Sequence, residues 1–581
     1  MRLRKLHIKN FRSIDATGIV IAPRNSVAVF VGKNNAGKSN ILEAIQLLLG
    51  SKNPRYASFV EADYNDPKKP IEFCIEFEGL QWGDGAKLGL SQVQCAVLTK
   101  SSRGAQPGNL AINVVVPALH SSENIEVAES ADDVDRETKK TCTITLGGKQ
   151  VVQRSEPIRA KLVRCVQVPA LRDHSDILSP SGWTTYGAML RGILEDSPKL
   201  EELRKIIEQT NTILTAVLSN ETKVLTSTAK TAAYVDQVSF KFTKENNPSE
   251  LLRNLTLSVL YRGRAEDISR TGTGTQSAVI IGMLELALRR RVAVGIRVFC
   301  IEEPELFLHP QAQRRMGKLL CQLAAEPGNF AFITTHSPEI VLGHEVEDVI
   351  RVERGSQRET RVWNVSDPAI VRELEKKLTR ESAEMVFADR VVFTEGESEP
   401  HFLPTVSSVV KDAGGVRCDY DTRNISAIKV QGKKSFKNHS RAADGLGIEW
   451  RVVADSDALD DNSLDYFCQI ADITNTDSVE KRRAALRNIG VGVLSLGEIE
   501  DYYPHAALAA IAGCTEAEVP QKIEEHRKRQ DGSSRKTSDA LKDWLRPLSK
   551  PEIARLVANW IQKYPGQISD NLKHLISWTV G

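Results

Sequence analysis

Three places in this chain gather residues suited to phosphate chemistry. The first is Gly32-Lys33-Asn34-Asn35-Ala36-Gly37-Lys38-Ser39, a full G-x-x-x-x-G-K-S run directly after the apolar stretch Val27-Ala28-Val29-Phe30-Val31. Gly32 and Gly37 let the backbone curl so that its N–H groups, with Asn34 and Asn35 between them, face phosphate oxygens. Lys38 then reaches the β- and γ-phosphates and Ser39 coordinates Mg²⁺. The second is Glu302-Glu303, where the apolar run Val298-Phe299-Cys300-Ile301 ends. Glu302 is placed to hold Mg²⁺ and Glu303 to polarise a water. His336, in Thr334-Thr335-His336-Ser337-Pro338 at the end of another buried strand, is expected to contact the γ-phosphate or orient the attacking water. The third is acidic. Glu395-Gly396-Glu397-Ser398-Glu399, Asp455-Ser456-Asp457 and Glu498-Ile499-Glu500 each follow an apolar run. Any one of these acids alone reads as a solvated carboxylate. Three pairs at three strand ends carry more negative charge than a core holds without cations, and oxygen ligands favour Mg²⁺ or Mn²⁺ over zinc.

The elements needed to position these groups are legible as patterns. Ile41, Leu42, Ala44, Ile45, Leu47 and Leu48 predict a helix that points its positive end at the bound phosphates. Glu399 falls one helical turn after Glu395, so both can face one point, and Gly396 permits the sharp turn between them. Asp455 with Asp457, and Glu498 with Glu500, are two apart on segments read as extended, which projects each pair to one side. A weaker signal is Gly272-Thr273-Gly274-Thr275-Gln276-Ser277 ahead of the apolar run Val279 to Leu288. Small residues and a Gln at a helix start can bind a γ-phosphate from outside, which makes Gly274 and Gln276 candidates; a plain flexible loop is the alternative. From Leu200 to about Ala233 the helical spacing of Leu203, Ile206, Ile207, Ile213, Leu214, Val217 and Leu218 reads either as core packing or as an insertion that pairs with a second copy. His526-Arg527-Lys528-Arg529 reads as a solvated helix face or as a grip on DNA phosphates, and Lys433 as a further phosphate contact.

Composition bounds the rest. At 581 residues the chain exceeds one core, and 41% hydrophobic with 26% charged residues is the profile of a soluble globular protein. The nine cysteines form no Cys-x-x-Cys pair, which argues for reduced thiols and against zinc. A net charge of +2 confines any polyanion surface to a local patch. No apolar run reaches membrane-span length. Met1-Arg2-Leu3-Arg4-Lys5 leads into an alternating strand and not a leader, so a cytoplasmic protein with no membrane partner is expected.

Residues from Met1 to about Arg354 resemble the ATPase head of the SMC/RecF-like ABC group, with Glu302 standing where most members have Asp. The forms EEPELFLHP and TTHSP resemble the OLD (overcoming lysogenization defect) nucleases. The order E-G-x-x-E…D-x-D is that of a Toprim domain, and LSLGEIEDYYP is the OLD form of its third acid pair. Within that family the length and arrangement are similar to Gabija-type nucleases. The resemblance implies an α/β chain: an ABC-type ATPase in two parts (1–180 and 241–360), a helical dimerisation insertion (181–240), a helical linker (361–386) and a Rossmann-like Toprim domain (387–581). It implies ATP and Mg²⁺ at the head, with the signature run completing the site of a second copy. It also implies a two-metal Mg²⁺ or Mn²⁺ centre that cuts double-stranded DNA in anti-phage defence. By motif, Glu395, Glu399, Asp455, Asp457, Ser495, Glu498 and Glu500 are ligands or ligand orienters. Lys536, in Ser533-Ser534-Arg535-Lys536-Thr537, matches the family's late basic residue. The implied partners are further copies of the chain, from dimer to tetramer, and an adjacent UvrD-like helicase. The competing reading is a RecF-like repair ATPase whose Toprim domain holds DNA uncut. Topoisomerase chemistry lacks a second DNA-gripping domain to carry a nucleophilic tyrosine.

Overall fold

Leu3, Leu6 and Ile8 are buried along β1 (Arg2–Lys9) while their neighbours are more open. Leu6 and Ile8 keep a period of two and Leu3 joins them across a bulge between Leu3 and Lys5, which commits the strand to a sheet with one covered face. In the computed structural model β1 pairs antiparallel with β2 (Ile19–Ile21) and β4 (Ile71–Glu78). β5 (Leu110–Val116), β6 (Thr141–Leu146) and β7 (Gln150–Val152) extend this sheet in the order β2-β1-β4-β5-β6-β7. Short breaks aside, the structure describes residues 2–95, 109–119, 140–168, 197–219, 258–272, 296–365 and 380–581, with a few isolated residues between.

Every residue of β3 (Val27–Val31) is buried, as a strand covered on both faces requires. It lies inside a second sheet, ordered β14-β13-β3-β12-β11-β8. Its members are β8 (Val163–Val168), β11 (Ile296–Glu302), β12 (Asn329–Thr334), β13 (Val349–Arg354) and β14 (Thr360–Asn364). All pair in parallel except β14, so the C-terminal tips of β3, β12 and β11 line up side by side. Ligands of open α/β sheets bind at that edge. β9 (Ser258–Tyr261) and β10 (Arg264–Asp267) form a separate hairpin.

A third sheet is wholly parallel, in the order β16-β15-β17-β18: β15 (Arg390–Thr394), β16 (Ile425–Lys429), β17 (Glu449–Ala454) and β18 (Val491–Val493). Alternation along these strands splits its two faces. Val392 and Val453 pack with Phe402 and Val406 of the helix Glu399–Asp412. Val391, Phe393 and Val452 pack with Phe436 and Ala442 of the helix Phe436–Gly445. The second group belongs to the same hydrophobic cluster as Val29, Phe299 and Ile333 of the preceding sheet. The two sheets therefore share one continuous core.

Two expectations change. Residues 361–364, read as the start of a helical linker, complete β14, because Val362 and Trp363 pair with Val352 and Arg351. The described helix of that connection is Arg380–Met385. The strand expected over Val491–Gly497 stops at Val493: the Leu494 N–H still reaches Ala454 O at 2.9 Å, and beyond it the chain turns, with the Ser495 N–H on Tyr502 Oη at 2.9 Å. Of the helical insertion, the helix Leu200–Val217 is described and none of its residues is buried; most of the rest of 181–240 and the helix expected from Val279 lie largely outside the described residues.

Candidate active site

The glycine loop follows β3 and lies against β13. Gly32 has φ 142°, and a Cβ there would meet Val352 O at 2.0 Å, so no other residue fits. Lys38, at the start of the helix Lys38–Leu49, is buried. Its Nζ donates to Gly32 O at 2.8 Å and Lys33 O at 2.9 Å, and lies 2.9 Å from His336 Nε2. An ammonium can only donate, so Nε2 accepts and the imidazole proton sits on Nδ1. Burial pulls Lys38 down to about 8. Burial, and then the Lys38 charge, hold His336 below its ordinary value.

Glu303 follows the tip of β11 with its backbone at φ 42°, a region non-glycine residues seldom occupy. Its N–H donates to Thr334 O at 2.9 Å, and its Oε1 lies 3.7 Å from His336 Nε2. The tips of β3, β11 and β12 thus bring Lys38, Glu303 and His336 together. Glu302 is the last residue of β11, half-buried beside them. Asn34, Asn35 and Ser39 are exposed on the loop. Glu305 was not foreseen: its buried carboxylate accepts the His336 N–H at 2.6 Å and fixes the histidine backbone. Its signal was a third acid two residues beyond Glu303. Gln276 is buried, and its carboxamide donates to Ile268 O at 2.9 Å and Thr271 O at 3.0 Å, bracing its own turn. Gly274 lies outside the described residues.

The acids of the third sheet converge. Glu395, Asp455 and Asp457 each place a carboxylate oxygen within 4.8 Å of the others. Lys536 Nζ lies 3.0 Å from Asp455 Oδ2, 3.3 Å from Asp457 Oδ2 and 3.5 Å from Glu498 Oε1. From the other side Lys433 Nζ lies 2.6 Å from Asp457 Oδ1, 2.9 Å from Asp461 Oδ2 and 3.9 Å from Glu395 Oε2. Burial and the neighbouring Asp455 raise Glu395 to about 7. Asp457 is held low: burial opposes ionisation, and the two lysines outweigh it.

Glu399 begins its helix beneath this cluster. Its Oε1 accepts from Gly396 N–H at 3.4 Å, and its Oε2 is buried without a hydrogen-bond partner. Burial, then Glu500, push it to about 8; Glu500, which accepts from Ser398 Oγ at 2.5 Å, is pushed by burial to about 7. An unpartnered buried carboxylate oxygen under an all-oxygen cluster fits a hard divalent cation, with Glu395, Asp455 and Asp457 as its holders.

Two expectations about this cluster are corrected. Glu498 and Glu500 do not share a side through extended spacing. Glu498 caps the 3-10 turn Ile499–Tyr502, which contains Glu500, and the turn rotates them apart. Glu498 accepts from Ser538 N–H at 2.9 Å and Ser538 Oγ at 3.2 Å, while Glu500 turns to Ser398. Ser495 is exposed, with its Oγ 3.1 Å from Tyr502 Oη, so its contacts set the turn and do not run to the acids. Within the basic run, Arg527 bonds Thr537 Oγ1 and lies 3.5 Å from Asp501 Oδ1, bracing the helix that follows Lys536, and Arg529 lies outside the described residues. Lys433 with Asp461, and Ser538 against Glu498, were not readable as pairs. No described helix is long and apolar enough to cross a membrane.

Comparison with known proteins agrees with this geometry. Residues 1–142 and 158–341 match the AAA ATPase domain family, and residues 386–457 match the TOPRIM domain of overcoming lysogenization defect protein-like proteins. The chain is 25% identical over 527 residues to the Old nuclease of Escherichia phage P2, covering 85% of this chain and 83% of that protein. It is 23% identical to the OLD nuclease of Thermus scotoductus, covering 78% of this chain and 82% of that one. It is 22% identical to the endonuclease GajA of Bacillus cereus, covering 79% of this chain and 75% of that one.

Proposed function

Because the chain belongs to the OLD family, an AAA ATPase domain followed by an OLD-like TOPRIM domain, we propose that it is a divalent-metal-dependent DNA endonuclease governed by ATP. Its substrate is double-stranded DNA and its setting is defence against phage. The observation that carries this reading is the convergence of Glu395, Asp455 and Asp457, with Lys536 spanning Asp455 and Glu498.

A bound Mg²⁺ or Mn²⁺ pair supplies the Lewis acidity that activates water and steadies the departing 3′ oxygen. Glu395, Asp455 and Asp457 would hold the first position, and Glu399 and Glu498 would supply oxygens to the second. Lys536 leaves its carboxylates and meets the scissile phosphate. Ser538 keeps Glu498 oriented, and Ser398 does the same for Glu500.

At the other site the glycine loop, Lys38 and Ser39 hold ATP with Mg²⁺ on Ser39 and Glu302. Glu303 takes the proton of the attacking water, and His336 stands at the γ-phosphate. Copies of the chain pair through the helix Leu200–Val217 into a dimer or larger assembly, and a UvrD-like helicase unwinds the DNA beside it. The test is supercoiled plasmid with Mg²⁺ or Mn²⁺, with and without ATP, for the wild type and Asp455→Ala. Metal-dependent nicking that Asp455→Ala abolishes, with ATP turnover retained, is the expected result. Wild type that binds DNA and turns over ATP but cuts nothing would sink it.

A further inference from the structure

We propose that Lys33 and Asp389 form a latch by which the nucleotide loop sets the position of the TOPRIM sheet. Lys33 is the second residue of the glycine loop, and its Nζ lies 2.5 Å from Asp389 Oδ2. Asp389 stands one residue before β15. Its N–H donates to Asn424 O at 3.0 Å, and its carbonyl accepts from Glu449 N–H at 3.2 Å. These bonds tie the start of β15 to the starts of β16 and β17. The far tips of β15 and β17 carry Glu395 and Asp455, about 17 Å along the strands.

Arg351 doubles the connection. It lies on β13 in register with Val31, the residue before Gly32. Its buried guanidinium donates to Gly447 O at 2.9 Å, Leu446 O at 3.2 Å and Ala388 O at 3.2 Å, and to Glu353 Oε2 at 2.9 Å. Its Nη2 is 3.7 Å from Asp389 Oδ1. Asp389 therefore stands between a guanidinium 7% exposed and an ammonium 64% exposed.

A triphosphate competes for both tethers of residue 33. It draws the Lys33 ammonium from Asp389, and it takes Lys38 Nζ from Lys33 O. A lone solvent-facing ion pair is weak, which lets a ligand override it. Asp389, left with Arg351, closes the gap to a charge-assisted bond of about 2.8 Å. Arg351 is fixed by three carbonyls, so the β15 end moves, and a close-packed sheet carries the shift to its acidic tips. The proposal rests on the reading that nucleotide at the first site governs the second.

The experiment is hydrogen–deuterium exchange on the full chain with Mg²⁺, with and without a non-hydrolysable ATP analogue. Wild type, Asp389→Asn and Lys33→Met are compared over residues 387–394 and 446–449. The analogue is expected to change exchange there about threefold or more in wild type and not in either variant, with its affinity for Asp389→Asn within about threefold of wild type. An equal response in wild type and Asp389→Asn, or no response in wild type, overturns the latch. This readout needs no strand cleavage. A protein that nicks no plasmid sinks the nuclease reading, and the exchange result still decides the latch.

Discussion

Lys536 Nζ and Asp455 Oδ2 lie 3.0 Å apart, although 81 residues separate them in the chain. Lys536 caps the helix Thr537–Trp544, whose first turn also presents Ser538 to Glu498. One short segment thus closes the open side of the acid cluster. Its ammonium lies among the carboxylates of Asp455, Asp457 and Glu498, and on the proposed reading a bound metal would free it for a phosphate. Lys536→Met is expected to lower metal-dependent plasmid nicking by about 10²-fold, while Mn²⁺ binding measured calorimetrically is kept or tightened. Nicking at the wild-type rate would remove Lys536 from the reaction.

The buried pair Glu399 and Glu500 predicts how stability responds to pH. Burial raises them to about 8 and about 7. An unfolded chain releases these protons near pH 4.5, at about the model-peptide value, so between the two limits the folded state binds more protons. Stability is then greatest on the acid side and falls as pH rises through about 7 to 8. The slope is at most about 1.4 kcal/mol per pH unit for each group. In EDTA, Glu399→Gln is expected to flatten the decline of Tm between about pH 5 and pH 8. Parallel profiles for variant and wild type would show that Glu399 is not neutral in the metal-free fold.

Gly396 matters for space, not for an unusual φ. A Cβ there would approach Glu399 Oε2 to 2.5 Å, and Glu399 is too buried to swing away. Gly396→Ala is expected to displace that carboxylate, weakening Mn²⁺ binding and nicking by about tenfold or more with an unchanged circular dichroism spectrum. Wild-type metal affinity in this variant would remove Glu399 from the metal's surroundings.

What could be read from the sequence, and what could not, divides on physical grounds. Val27–Val31 and Val298–Ile301 are continuous apolar runs because both faces of a parallel sheet are covered, and the glycine loop after the first and the acids after the second mark strand tips. Lys38, Glu303 and His336 were therefore legible as one site, and Glu395, Asp455 and Asp457 as another. Glu498 and Glu500 were legible as strand-end acids, but not their geometry, since the chain turns beyond Leu494 and the Ser495 N–H bonds a tyrosine hydroxyl seven residues on. Asp461 on Lys433, and Asp389 on Lys33, join residues 28 and 356 apart. No local period encodes such pairs; the first exists only once β16 and β17 stand in one sheet, the second only once two sheets share a core.

Glu303→Gln separates nucleotide binding from turnover. The carboxylate sits 3.7 Å from His336 Nε2 on a backbone at φ 42°, just past the end of β11. An amide keeps the shape and loses the base. ATP hydrolysis is expected to fall by about 10²-fold or more, with analogue binding retained and Asp455-dependent nicking intact. Turnover near the wild-type rate would assign the proton to another group, with Glu302 the first to test.

The helix Leu200–Val217 buries none of its side chains, yet Ile206, Ile213 and Val217 are 51%, 63% and 66% exposed. Positions 206, 213 and 217 return to one face of a helix after two and three turns. The helix is about 27 Å long and the stripe from Ile206 to Val217 covers about 17 Å of it, room for three layers against an identical helix. Left in water such a stripe costs free energy; set against a second copy it removes apolar surface from both chains. Ile213→Asp with Val217→Asp is expected to convert a dimer or larger assembly to monomer in sedimentation equilibrium, because each buried charge would lack a partner. None of the helix's side chains is buried, so the monomer is expected still to bind nucleotide. A wild type that sediments as a monomer at micromolar concentration would leave this face without its second copy.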